Sequence, residues 1–186
     1  MSNTWTTKVD ASRRKPNAFH LTGSVTVQKP VETVFDFITK DLSAYYPQTA
    51  EGHKKLEVIG ADRMTEGAKI ECQEISKNVE VHHLYQITDV VPNKKAYFST
   101  SLPSNPTRAY VYSGKQTIER ESATYVYYEF KEMSPEVTEL RLTIVIQMPK
   151  FFFKLMAMLF GQEKMWGNHL WEELNNMKDI IEQKGK

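Results

Sequence analysis

The stretch "FHLTGSVTVQKPVETVFDFIT", Phe19–Thr39, changes its apolar period halfway along, and that change decides the fold. From Phe19 to Gln28 the side chains alternate. Phe19, Leu21, Val25 and Val27 point one way, and His20, Thr22, Ser24, Thr26 and Gln28 the other. A period of two belongs to a strand with one buried face. Gly23 falls on that buried face, where the missing side chain predicts a bend or the close approach of another element. From Lys29 the period becomes helical. Val31, Val34, Phe35 and Ile38 form one stripe, Pro30 suits the first turn, and Glu32 lies near the positive end of the helix dipole.

Downstream, "DLSAYYPQTAEG" (41–52) predicts a short helix or turn ended by Pro47 and Gly52. Strands then follow in quick succession: 53–60, 68–75, 77–91, 95–102, 108–120, 124–132 and 138–148. Their turn signals recur about every ten residues with no helical pattern between them, which predicts an antiparallel meander. The chain closes on an amphipathic helix. From Trp166, the residues Leu170, Leu174, Met177, Ile180 and Ile181 share one arc, and Glu172, Glu173, Asn175, Asn176, Lys178 and Asp179 are assigned to the remaining, solvent-facing arc. The expected architecture is α+β: a curved antiparallel sheet of six to seven strands with a long C-terminal helix covering its apolar face.

In order and spacing the chain resembles the START-like superfamily, also called Bet v 1-like or the polyketide cyclase/dehydrase and lipid-transport (SRPBCC) group, over Phe19–Gln183. Three stretches carry the resemblance. "VTVQKPVETVFDFITK" (25–40) is similar to that group's first strand running into its first helix, "YQITDVVPNKKAYF" (85–98) to its central strand, Pro turn and next strand, and "LWEELNNMKDIIEQ" (170–183) to its terminal helix. The resemblance implies a helix-grip fold with an internal cavity, in a single domain over residues 18–186 preceded by a polar tail, 1–17. The superfamily hosts carriers, hormone receptors, cyclases, hydrolases and chaperone activators and has no universal catalytic signature, so no residue is carried over as catalytic. The implied function is binding of a small apolar or amphipathic ligand: a lipid, a sterol-like compound or a polyketide. A polyketide cyclase or dehydratase and a protein-interaction or stress-response module are the alternatives.

Composition narrows the field. The 186 residues carry 24 Lys and Arg against 23 Asp and Glu, a net charge of +1. Such a balance argues against a dedicated nucleic-acid binder. The basic run "SRRK" (12–15) lies in the polar tail and is expected to be solvated. A single cysteine, Cys72, excludes an internal disulfide. The N-terminal residues lack the basic-then-apolar order of a secretory signal, and no apolar run reaches the roughly 18 residues of a spanning helix, so a cytoplasmic protein is expected.

The segment "KFFFKLMAMLFGQEKMW" (150–166) is apolar almost all round a helical wheel, with Phe152, Leu155, Met156, Leu159 and Phe160 on one face. It reads as core packing, as the wall or lid of a cavity, or as a shallow insert at a membrane surface, where Lys150 and Lys154 would meet anionic head groups. Transient membrane contact is therefore among the expected partners.

Candidate chemistry is sparse. On "VEVHHLYQI" (79–87) the alternation turns Val79, Val81, His83, Tyr85 and Ile87 inward and His82 outward. An imidazole beside a phenol is the kind of pair that acid–base work needs, and equally that of a packed strand. Cys72 shares a face with Ala68 and Ile70, and a nucleophilic role would need a base and a lowered pKa. Tyr112 and Tyr128 are placed to offer hydroxyls to a ligand head group. The expected ligand contacts are thus His83, Tyr85, Cys72, Tyr112, Tyr128, Phe152, Met156, Trp166 and Leu170. Adjacent His82 and His83 point to opposite faces and there is no cysteine pair, so neither a metal site nor any other cofactor is expected.

Overall fold

A computed structural model describes residues 5–76, 79–102, 105–106, 109–113, 116–120, 123–148 and 150–184, with side chains for all of these except 76, 79, 101–102, 105–106, 109–113, 116–120 and 153. The predicted switch of period is realised. Strand β1 (Ala18–Val27) leads to helix α1 (Val31–Asp36), which passes through a π turn (Phe37–Asp41) into helix α2 (Leu42–Thr49). Pro47 stands inside α2 rather than ending it. The last turn is closed by Thr49, whose hydroxyl donates to the carbonyl of Tyr46 at 2.8 Å.

Next come β2 (His53–Ile59), β3 (Lys69–Ser76), β4 (Val79–Val91), β5 (Lys95–Ser99), β6 (Ser101–Leu102), β7 (Asn105–Pro106), β8 (Ala109–Ser113), β9 (Gln116–Arg120), β10 (Ala123–Ser134) and β11 (Val137–Gln147). The main sheet runs β1-β11-β10-β5-β4-β3-β2, all antiparallel, with the β8–β9 hairpin attached to β4. One edge of β4 serves two partners: its C-terminal half pairs with β5 and residues 80–82 pair with β8. Strands β6 and β7 form a separate short ladder.

Helices α3 (Phe151–Leu159) and α4 (Gln162–Gln183) complete the chain. Leu170, Leu174, Met177 and Ile181 of α4 are completely or almost completely buried against the sheet. The approach predicted at Gly23 is that of α4: a Cβ there would stand 2.8 Å from both Leu170 Cδ2 and Leu174 Cδ1. This is the expected helix-grip α+β fold.

One expectation is corrected in part. Lys8, Asp10, Ser12 and Arg14 of the segment before β1 are exposed and none of residues 5–17 is buried, but the segment is held against the body. Thr6 and Thr22 exchange backbone hydrogen bonds of 2.7 and 2.8 Å, and the Trp5 ring lies where a Cβ on Gly167 would be. Arg13 of the basic run donates to both carboxylate oxygens of Glu129, at 2.6 and 2.7 Å, and to the Tyr97 hydroxyl. It is drawn in because Tyr97 and Tyr127 on the outer face present rings 5.2 and 4.8 Å from its guanidinium, so a charge partner and two aromatic faces replace water. Of the three readings of α3, core packing is the one the burial disfavours. Phe151, Phe152, Leu155, Met158, Leu159 and Phe160 are exposed, and among the described side chains of α3 only Ala157 is buried. Lys154 and Met156 are half-buried beside Ala157, and the six exposed apolar side chains face outward instead of filling the core. No described helix is long and apolar enough to cross a membrane.

Candidate functional site

Among the described residues, the interior between α4 and the curved sheet is mainly apolar and holds a polar cluster. Strand pairing places Cys72 opposite His83 and Ile70 opposite Tyr85, so the inward set read from β3 and β4 is assembled. Alternation carries the same face of β3 on to Glu74. Tyr46 reaches in from α2, and its hydroxyl donates to Glu74 Oε1 at 2.7 Å and lies 2.8 Å from Cys72 Sγ. Cys72 in turn donates to Glu74 at 3.2 Å. Glu74 is therefore a carboxylate fixed by two donors.

His53, first residue of β2, stacks flat on Tyr46 with centroids 4.0 Å apart. Its Nδ1 lies 2.7 Å from Thr49 Oγ1. That hydroxyl already spends its single proton on the Tyr46 carbonyl, so His53 Nδ1 must be the donor. The tautomer is thereby set, and Nε2 is left as a bare lone pair. It faces His169 Nε2 of α4 at 3.0 Å and Glu74 Oε1 at 3.9 Å. On the same face of α4, one turn beyond His169, Glu173 is buried and accepts from the Tyr128 hydroxyl at 3.1 Å.

The electrostatics follow from burial and neighbours. Burial, reinforced by the nearby Glu74 charge, pushes the Glu173 carboxyl up to about 8, against a weaker opposing effect of the Tyr128 hydrogen bond. Burial lowers His53 to about 4, with Glu74 pulling the other way. Burial also opposes charge on Glu74, but His83, His53 and the two donors outweigh it and hold this carboxyl at about 2. Burial raises the Cys72 thiol and the Tyr46, Tyr85 and Tyr128 phenols well above their usual values. A nucleophilic Cys72 would need the opposite shift, so here it is a small neutral group in the hydrogen-bond network. His83 Nδ1 is buried and has no hydrogen-bond partner among the described residues. Its ring is 5.5 Å from that of Tyr85.

Of the residues expected to meet a ligand, Cys72, His83, Tyr85, Tyr128 and Leu170 line this one interior. Trp166 packs edge-on against Phe19 at 5.3 Å. Met156 is half-buried on α3, whereas Phe152 is turned to the outside. Tyr112 stands on β8 opposite Glu80, and its side chain lies outside the described residues.

The sequence reading missed His53, Glu74, His169 and Glu173. Glu173 was assigned to the solvent arc, yet at 100° per residue it falls between Trp166 and Ile180, inside the apolar arc. His169 lies at the edge of that arc. A register shift between His53 and Lys55 breaks the alternation of β2, so His53 turns inward without a period-two signal. The expectation of no metal pattern looked for paired cysteines and neighbouring histidines. The structure instead gathers His53, Glu74 and His169 from three separate elements, with ligand atoms within 4.8 Å of one another.

No family profile matches the sequence, and no curated protein matches it. Solved structures do match in shape. A conserved protein from Geobacillus kaustophilus superposes with a TM-score of 0.57 at 16% identity, covering 89% of this chain and 96% of its own. Ara h 8.0201 gives 0.55 at 8% identity, over 90% and 99%. The Zhui aromatase/cyclase from Streptomyces sp. R1128 gives 0.56 at 12%, over 91% and 96%. At such identities the likeness is one of fold.

Proposed function

We propose, from the premise that this chain has the Bet v 1-like helix-grip fold, that it binds a small amphipathic organic ligand between α4 and the sheet. The observation that carries this is His83 Nδ1, a buried ring nitrogen with no partner among the described residues, set between Cys72 and Tyr85. A buried polar group left unpaired costs about 1–3 kcal/mol, so native structures seldom keep one without an occupant. A ligand hydroxyl or carbonyl at His83 removes that cost, while Tyr85, Phe98 and Leu170, buried against one another and their neighbours, would part to enclose the rest of the molecule. The exposed apolar face of α3, flanked by Lys150 and Lys154, suits transient contact with the membrane or assembly from which such a ligand is collected. A cytoplasmic setting belongs to this reading, since the one cysteine is buried and free.

Acid–base chemistry on the ligand is a second reading, favoured by Glu173. A buried carboxyl kept protonated near neutral pH, with Tyr128 hydrogen-bonded to it, is equipped as a proton donor. The aromatase/cyclase among the structural neighbours is consistent with it.

Native mass spectrometry of gently purified protein, followed by solvent extraction, tests the binding reading. A reproducible adduct of apolar or aromatic character, weakened in His83→Phe, is the expected result. A bare apoprotein mass, together with no uptake of fluorescent fatty-acid or aromatic probes, overturns it.

A further inference from the structure

We propose that His53, Glu74 and His169 form a binding site for a divalent transition-metal ion, with zinc(II) as the reference ion. This goes beyond the ligand-binding reading and does not depend on it. The donor set is two imidazoles and one carboxylate, the chemistry preferred by zinc and its first-row neighbours rather than by calcium or magnesium.

Two features of the geometry point the same way. First, the ligand atoms converge. His53 Nε2 lies 3.0 Å from His169 Nε2 and 3.9 Å from Glu74 Oε1, and all three ligand atoms lie within 4.8 Å of one another, a nearly right-angled triangle. The point equidistant from them is the middle of the longest side, about 2.4 Å away (half of 4.8 Å), so small side-chain shifts bring the three atoms to the usual zinc–nitrogen and zinc–oxygen lengths around an ion.

Second, the ligands are already oriented. His53 donates Nδ1–H to Thr49, which fixes its tautomer and leaves the Nε2 lone pair on the side of His169 and Glu74. Outer partners of this kind hold metal-bound histidines and carboxylates in place, and the Tyr46 and Cys72 donors to Glu74 are the carboxylate's counterparts. Without an ion, His169 donates its Nε2 proton to His53; an ion would replace that hydrogen bond, using both lone pairs and neutralising Glu74.

Three protein ligands leave a position open for water or for the polar end of a ligand. The ion would also link β2, β3 and α4, tying the long helix to the far edge of the sheet.

The test uses full-length protein stripped with a chelator and free of any tag. Zinc(II) is titrated calorimetrically, bound metal is counted by mass spectrometry after desalting, and cobalt(II) is added separately to read coordination from its visible absorption. The expected result is one equivalent per chain. Binding should be weakened at least about tenfold in His169→Gln and in Glu74→Gln, and measurably in the outer-partner variant Thr49→Ala. Binding should be unchanged in His82→Ala. His169 is half-buried on the outer side of the cluster, so its variant keeps the test valid if Glu74→Gln fails to fold. No bound zinc in the wild-type protein overturns the proposal. So does equal affinity in wild type and folded His169→Gln, or an equal loss in His82→Ala.

Discussion

Replacing Glu173 by Gln should make the metal-stripped protein more stable at neutral pH, by an amount that depends on pH in a defined way. Glu173 titrates at about 8 in the folded chain against 4.5 for an ordinary glutamate. The folded state therefore holds a proton that the unfolded chain releases between those two values. Stability contributed by this group is complete below 4.5, falls as pH rises, and is fully lost above 8. At pH 7 the loss covers the interval from 4.5 to 7, which at 1.36 kcal/mol per pH unit comes to about 3 kcal/mol. Glutamine matches the protonated acid in shape, and its carbonyl still accepts the Tyr128 hydrogen bond. It has no proton to lose and so escapes this cost. Urea unfolding of both proteins from pH 4 to pH 9 measures the effect. The two curves should coincide near pH 4 and diverge by about 3 kcal/mol at pH 7, which for a chain of this size raises the thermal midpoint by roughly 6–12 °C. A constant difference across the pH range, or a variant less stable at pH 7, would refute the assignment of Glu173 as a buried neutral acid.

Two further outcomes follow from packing outside the cluster. Gly23→Ala forces a methyl group against Leu170 and Leu174 at 2.8 Å, so α4 must lift or its leucines must leave their rotamers. A loss of about 1–3 kcal/mol is expected, read from the urea midpoint. An unchanged midpoint would mean that α4 does not sit as described. Arg13→Ala removes a two-pronged bond to Glu129 and a guanidinium held between two tyrosine rings, at an expected cost of about 1–2 kcal/mol in low salt and less in high salt. Equal unfolding midpoints for the variant and the parent protein in low salt would show that the N-terminal segment is not anchored there.

The parts of the fold that the sequence made legible are those governed by long, clean periodicities. Phe19–Gln28 alternates over ten residues and becomes β1, and the stripe Leu170, Leu174, Met177, Ile181 becomes the buried face of α4. Period-two reasoning also turned Cys72, His83 and Tyr85 inward correctly. It failed at His53 because an irregularity in register shifts the phase of β2, and it failed at Glu173 because a charged residue was assigned by its chemistry instead of by its angle. The exposure of α3 was not legible, since a helix apolar on nearly every side carries no directional signal. The polar cluster itself joins α2, β2, β3 and α4. Its members are distant in the chain and are united only by the curvature of the sheet, for which no local pattern exists.

The pairing of β1 with β11 has a consequence for how the molecule is made. Ala18 bonds opposite Gln147, and Trp5 docks at Gly167, so during synthesis β1 waits for partners that are made 129 residues later, from 18 to 147. Contacts this far apart in the chain close late and slowly. During synthesis the edge of β1 and the apolar face meant for α4 are both bare, which exposes the nascent chain to association with its own copies. A ribosome stalled before α4 should hold a chain that proteases cut freely, and protection should arrive in a single step once α4 has left the exit tunnel.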